Sequence, residues 1–355
     1  ILVFLIFKEI DQVTLTLRIG AISAYVLLHG VLLIGPWSRF STRILKFYFY
    51  RRHLGVSVLL LGLLHVALVF STYFNFSIKD ALQSIFIFYG SAALLLLTWL
   101  GLSSWDVLQK RVKPLMWKVL HAILLVVFLA EGFYAVSVQE ELASLHYAMI
   151  GLMTLFWLVV APYGGVKKIM RTYIFGWKQL HVLIWVIYVS LILHVWFGWI
   201  SFNTMIYKVV FWLLVLLVVG SHAYGWFTRY IEDKKILSRI RKIGKAEDGF
   251  VGVDYVKNFV GKGRKSYVDG LPVAIFKNGD EFIAVGDTCA HQKGPLHLGR
   301  LINDCIECPW HYWIYNSEGK YLGKEGFSVA KYSVRVKDGI VFVKKVSDEV
   351  NSFHP

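Results

Sequence analysis

Residues 286–313 read GDTCAHQKGPLHLGRLINDCIECPWHYW. Within this stretch Cys289-Ala-His291 is followed by Cys308-Pro-Trp-His311, so each of two short segments offers one thiol and one imidazole. That donor set is what a [2Fe-2S] cluster needs when one iron takes Cys ligands and the other takes His. Around it, PVAIFKNGDEFIAVG (272–286) and YSVRVKDGIVFVKK (332–345) alternate apolar and polar residues in short runs, and Asn278-Gly279 and Asp338-Gly339 predict hairpin turns. Residues 250–346 are therefore expected to form a small all-β domain. The chain has 3 cysteines, at 289, 305 and 308, and an odd number so close together favours metal over disulfides. A structural zinc site built from Cys289, Cys305, Cys308 and a His is the competing reading, since Cys305-Ile-Glu-Cys308 is itself a CxxC. It leaves the CxH pairing and the neighbouring Gly and Pro positions without a role. Cys305 is instead expected as a buried strand residue, and His297 as a surface histidine.

Upstream the composition changes completely. The whole chain of 355 residues is 57% hydrophobic with a mean hydropathy of +0.56, and the excess lies in residues 1 to 228. Apolar runs of about 20 residues imply membrane-crossing helices, because the hydrocarbon core offers the backbone no water to bond. Seven complete spans are predicted, near 13–36, 53–73, 85–102, 115–137, 145–163, 177–199 and 207–226. Residues 1–7 (ILVFLIF) resemble the end of an earlier, partial helix; the chain opens without Met, so a truncated start is expected rather than a signal peptide. The expected organisation is a polytopic all-α bundle over 1–228, a basic linker over 229–249, the all-β domain over 250–346 and a tail over 347–355.

Lys and Arg accumulate on the cytoplasmic side of a membrane. One set of loops, with the segment after the last span, holds 20 of them, from Arg39, Arg43 and Lys46 through Lys110 and Lys167 to Lys245. The other set holds only Lys8, Arg18, Lys79 and Lys208. The β-domain is thus expected on the cytoplasmic side. The same asymmetry accounts for most of the +15 formal charge, so no nucleic-acid partner is expected.

The β-domain resembles Rieske domains, carrying His-Gln-Lys-Gly-Pro-Leu after the first ligand pair and Cys-Pro-Trp-His at the second. The resemblance implies that Cys289 and Cys308 hold one iron and His291 and His311 the other. Rieske proteins of quinol-oxidising bc complexes carry an extra, disulfide-forming Cys in each loop; Pro295 and Trp310 stand in those positions here. Trp313 occupies the place of a Ser that donates a hydrogen bond to the cluster, and Tyr312 that of a Gly. Fewer donors imply a lower potential, as in Rieske ferredoxins.

Histidines within the apolar spans are functional candidates by default. Those on outward-running helices are His53 and His65, His121, and His181 and His194. His181 and His194 are 13 residues apart, or about 20 Å along a helix, which suits two haems stacked across the bilayer. No CxxCH occurs, so any haem is of the non-covalent b type. Arg51-Arg52-His-Leu-Gly with Leu64-His65, and Met116-Trp-Lys-Val-Leu-His121, resemble the ferric-reductase-like transmembrane superfamily over about residues 13–163. The nearest pattern is the haem-binding membrane subunit of bacterial methionine sulfoxide reductase systems, which implies a bacterial cytoplasmic membrane. The resemblance assigns haem ligation to His65 and His121. The superfamily's second His on the later helix is Tyr134 here, whereas Trp177-Lys-Gln-Leu-His181 repeats the motif and keeps a partner, His194. The expected pairs are His65 with His194 toward the outer face, and two of His53, His121 and His181 toward the inner face. His29, His146 and His222 are expected to bond between helices.

The order of sites implies an outward path for electrons. It starts from a cytoplasmic ferredoxin or flavoprotein and leads through the [2Fe-2S] site and two haem b sites to an outer-side acceptor or partner subunit. A quinol-linked subunit of a larger respiratory or photosynthetic complex is the alternative, and a membrane anchor with structural histidines is a third.

Overall fold

The computed structural model describes residues 11–82, 84–103, 184–246, 248–291 and 293–346, with isolated positions between 116 and 151. It comprises two compact units, one of residues 1–32 and 51–218, the other of 33–50 and 219–354. The spans predicted at 115–137 and 145–163 fall almost wholly outside the described residues, as do His121, His146, His181 and the segments 1–7 and 347–355.

Five long helices are described: α1 (Gln12–Trp37), α2 (Arg51–Thr72), α3 (Ile85–Ser103), α4 (Ile184–Gly198) and α5 (Met205–Ile243). Among the described residues, four helical stretches are long and apolar enough to cross a membrane, and α3 contributes a shorter apolar one, Phe86–Leu102. They match the spans read at 13–36, 53–73, 85–102, 177–199 and 207–226. In the first unit, Phe88, Tyr89, Ala92, Ala93 and Leu96 of α3 bury against Ile187 of α4. Ala92 and Ala93 let the backbones approach, the usual basis of helix association where lipid removes any hydrophobic drive. Ile200, with Phe211 and Val215 of α5, packs on Tyr25 of α1 and Trp196 of α4. Along α2 only Val58 is fully buried, Leu59 packs toward Gly101 of α3, and Leu60, Leu63 and Leu64 are exposed among the described residues.

The second unit is a two-sheet β-domain with helical attachments. Strands β1 (Val251–Tyr255), β2 (Arg264–Val268), β3 (Leu271–Asn278), β4 (Glu281–Gly286), β8 (Lys331–Lys337) and β9 (Ile340–Lys345) form an antiparallel sheet in the order β1-β9-β8-β4-β3-β2. The smaller sheet is β5 (Arg300–Ile302), β6 (Cys305–Glu307) and β7 (Ile314–Tyr315). Two-residue loops close three hairpins: Asp269-Gly270, Gly279-Asp280 and Asp338-Gly339. The turn expected at Asn278-Gly279 is displaced by one residue, because Asn278 still pairs with Glu281.

Alternation along β3 and β4 sorts their side chains between two cores. Val273, Ile275 and Ala284 pack with Val251, Val341 and Val343 on one face. Ala274, Phe276, Ile283 and Val285 pack on the other, beneath Cys289, Leu296, Ile306 and Cys308. The sheet thus supplies a dry floor for the two candidate ligand segments.

Residues 229–243, read from composition as part of a linker, are helical and complete α5. Asp233 pairs with Lys265 at 2.8 Å, and Ile240 packs against the sheet core. Asp254, 4% exposed, accepts from Arg239, Arg264, Asn258 and the Tyr255 amide. Asp254→Ala leaves these donors without their shared carboxylate and is expected to destabilise the domain by about 2 kcal/mol, in the range of hydrogen bonds to charged groups. Thermal unfolding followed by β-sheet circular dichroism measures this; a wild-type midpoint in the variant contradicts it.

Candidate metal centre and the helix histidines

The first ligand segment leaves β4 at Gly286 and turns back on itself. The Cys289 amide donates to the Gly294 carbonyl at 2.9 Å, and the Lys293 amide to the Cys289 carbonyl at 3.0 Å. The second runs from β6 to β7, closed by Cys308 N–H to the Trp313 carbonyl (2.7 Å) and Tyr312 N–H to the Cys308 carbonyl (3.1 Å). Gly294 is where the segments meet: a Cβ there would sit 3.0 Å from Cys308 Sγ and from the Trp310 ring, so a side chain would press on both.

These turns bring all four candidate ligands together. Cys289 and Cys308 are buried, and their thiols share a hydrogen bond. The His291 and His311 rings lie edge to face at 4.6 Å. The hydrogen bond from Cys289, with burial behind it, pushes the Cys308 thiol far above its ordinary range. Burial, followed by the neighbouring His291, pushes His311 down to about 4. A neutral imidazole keeps its lone pair for a metal, and a buried thiol can give up its proton to one. Two buried sulfurs and two adjacent imidazoles fit a [2Fe-2S] cluster. Cys305 begins β6, half-exposed rather than buried as expected, with Ile302 as its strand partner.

Residues 250–333 match the Rieske [2Fe-2S] domain family. Over 82 residues the chain is 35% identical to ferredoxin CarAc of Metapseudomonas resinovorans, covering 22% of this chain and 77% of that protein. It is 32% identical over 74 residues to the anthranilate 1,2-dioxygenase ferredoxin subunit of Burkholderia cepacia, covering 20% and 68%. The chain belongs to the Rieske family. Among solved structures, the ferredoxin of carbazole 1,9a-dioxygenase from Nocardioides aromaticivorans IC177 is 25% identical, with a TM-score of 0.25, covering 26% of this chain and 95% of that one. Residues 19–132 match the ferric reductase like transmembrane component, so the Rieske domain is fused to an integral membrane component of that type.

The Rieske domain contains a hydrogen-bond donor that sequence reading missed. Tyr315 is fully buried and its hydroxyl accepts the Ala290 amide at 3.0 Å, so its own proton points to Cys289 Sγ, 3.1 Å away. The Ser replaced by Trp313 is therefore not the sole source of a donor. Trp313 instead stacks on His291 at 4.6 Å and on Tyr321 at 3.8 Å, fixing the imidazole plane. Tyr315→Phe removes one charge-assisted bond worth about 1.5 kcal/mol. That energy corresponds to about 60 mV for a one-electron couple. The expected result is a cluster potential lower by that amount in an EPR-monitored titration; an unchanged potential contradicts the bond.

Tyr312 explains the Gly usual at its position: its φ is 60°, in the left-handed region. His297 is not a free surface residue as expected. Its Nδ1 pairs with Asp287 at 2.7 Å, and Asp287, 5% exposed, also accepts the His297 amide. That pair anchors the turn following the first ligand segment.

In the helical unit, the described histidines differ in what their nitrogens do. His194 Nδ1 lies 2.7 Å from the Phe86 carbonyl, so Nδ1 carries the proton and Nε2 keeps its lone pair. Gly90 makes room for this ring, since a Cβ there would come within 2.6 Å of it. His65 lies near His194; its ring is hydrogen-bonded to the Leu17 backbone, and its buried Nδ1 has no partner. A buried polar atom without a partner is costly in a fold that nothing else completes. His29 spends both nitrogens, Nδ1 at 2.8 Å from the Tyr25 carbonyl and Nε2 at 3.1 Å from Tyr188 Oη. His53 is exposed at the start of α2, and His222 is half-buried in α5.

Proposed function

We propose that this protein is a transmembrane electron conduit with its Rieske domain on the cytoplasmic side of a bacterial cytoplasmic membrane. It takes electrons singly from a ferredoxin or flavoprotein and delivers them through b-type haems to an outer-side acceptor. The observation that carries this is the presence on one chain of a Rieske domain and a ferric-reductase-like transmembrane component. When bound, a [2Fe-2S] cluster and haems supply centres that each accept and release one electron. The chain holds them in place: Cys289 and Cys308 for one iron, His291 and His311 for the other, and His65 with His194 for a haem, joined by His121, His181 or His53 for a second. Two imidazoles on one haem leave no open position, which favours transfer over oxygen chemistry. The Lys and Arg asymmetry supports the cytoplasmic placement, and the likeness to stand-alone ferredoxins supports a carrier role for the domain.

The test is an optical and EPR spectrum of the purified protein, followed by reduction with a reduced ferredoxin or with quinol. A split b-haem α-band, a Rieske g-tensor and haem reduction that follows ferredoxin addition are expected. Porphyrin-free protein rejects the conduit, and reduction by quinol alone transfers the assignment to a quinol-linked subunit.

A further inference from the structure

Within the second unit, the segment 33–50 lies against the second ligand loop. Tyr48 stacks on Trp310, with ring centroids 4.2 Å apart and planes 15° from parallel. Phe49 lies 6.0 Å from the His311 ring. Leu45, buried, and Lys46 line a cavity of about 290 Å³ together with Arg300, Glu307, Pro309 and Tyr312. Trp310 stands where bc-complex Rieske proteins have a disulfide cysteine, and here that position presents a flat aromatic surface instead.

The segment is held at its other end as well. Trp37 Nε1 donates to Ser221 Oγ at 3.0 Å, and Arg39 donates to the Gly225 carbonyl, both on α5. Further along, α5 is tied to the Rieske sheet through Asp233 with Lys265 and Arg239 with Asp254. Within the second unit, segment, helix and ligand loop therefore form a continuous set of contacts. In sequence the segment runs directly into α2, the helix of His53 and His65.

We propose that Tyr48 and Phe49, packed on Trp310 and His311, are positioning residues that form the contact through which the Rieske site passes its electron toward the membrane helices. This rests on the conduit reading above. The step would move one electron and no atoms: a cluster held by Cys289, His291, Cys308 and His311 would give up one electron, and a haem held by the helices would take it up. The Tyr48 ring, stacked on Trp310, holds the segment against the second ligand loop beside His311, and the segment continues in sequence into α2. The loss of that separation slows transfer without altering either centre.

The experiment uses the full, cofactor-loaded chain. After flash reduction of the cluster, haem α-band growth is compared in wild type, Tyr48→Ala and Tyr48→Phe, alongside the Rieske EPR spectrum and haem content. Tyr48→Ala is expected to slow haem reduction at least about tenfold, within the roughly hundredfold that a misplacement of about 1 Å can cost in a positioned reaction. Tyr48→Phe keeps the ring and is expected to keep the wild-type rate, with spectra and haem content unchanged in both. Independently, Lys46→Cys with Arg300→Cys in a Cys305→Ser background is expected to join through a short thiol-to-thiol linker in intact membranes. A wild-type rate in Tyr48→Ala, or no joined product, overturns the contact. Wild-type protein with both cofactors but no cluster-to-haem transfer overturns the conduit instead, while the cross-link still reports on the contact.

Discussion

Cys289→Ala is expected to abolish the Rieske EPR signal and reduce bound iron by about two atoms per chain, the content of one [2Fe-2S] centre. The sulfur it removes takes the hydrogen bond from Tyr315, shares one with Cys308 when no metal is bound, and would instead bind iron when the site is loaded. Ala leaves Tyr315 and Cys308 buried without that partner, beneath a core that also contains Ile306 and Leu296. Because metal binding and folding draw on the same free energy, thermal stability of the Rieske domain should fall together with the iron content. Iron analysis, EPR and calorimetry on one preparation read all three effects. Cys305→Ser is the control, since Cys305 stands half-exposed on β6 outside the donor set, and it should retain iron and spectrum. Iron retained in Cys289→Ala and lost in Cys305→Ser reverses the ligand assignment.

The same site predicts how metal-free protein responds to acid. His311 is held near 4 in the fold, against about 6.5 for an unfolded histidine. Between these values the unfolded chain binds a proton that the fold refuses, so stability rises with pH across that window and is complete above it. Iron-depleted Rieske domain should therefore lose stability as pH falls from about 6.5 to about 4. Loaded protein should hold its stability further into that window, because iron occupies the lone pair for which protons compete.

The ligand quartet was legible because cluster chemistry restricts residue types and spacings within two short loops, and no tertiary knowledge is needed to see Cys289-Ala-His291 and Cys308-Pro-Trp-His311. Tyr315 was not legible. It reaches Cys289 from β7, beyond the second loop, and in sequence it is one aromatic among several in a strand. Tyr312 was noticed as a departure from Gly, but only backbone geometry shows that the residue sits at positive φ. The five matched helices were visible as apolar runs, since lipid imposes length and composition directly. The helical state of residues 229–243 was hidden behind their charge, although Ile236, Ile240 and Ile243 recur at helical spacing and Ile240 packs on the sheet. His29 and His194 were already set apart in the sequence by the direction of their helices and by the motif around His181 and His194. The structure adds what each ring nitrogen does, and His29 bonds between helices to Tyr188 as expected.

That separation yields the sharpest comparison among the membrane residues. His194→Ala is expected to lose a haem, with a drop in the α-band and in pyridine haemochrome content, and to end electron delivery beyond the Rieske centre. The Rieske EPR signal should persist, because its ligands lie in the other unit. His29→Ala is expected to keep its haem and to cost about 1–3 kcal/mol of stability through the two bonds it breaks. The difference follows from what each ring has left to give. His194 donates to the Phe86 carbonyl and retains an acceptor nitrogen next to His65, whereas His29 has engaged both nitrogens with Tyr25 and Tyr188. Gly90→Val gives an independent reading of the same geometry, since it presses on the His194 ring without removing the imidazole. Haem loss in Gly90→Val parallel to that in His194→Ala ties the cofactor to the ring's position. Full haem content in His194→Ala instead removes this histidine from the ligand set and leaves its bond to Phe86 as a link between α3 and α4.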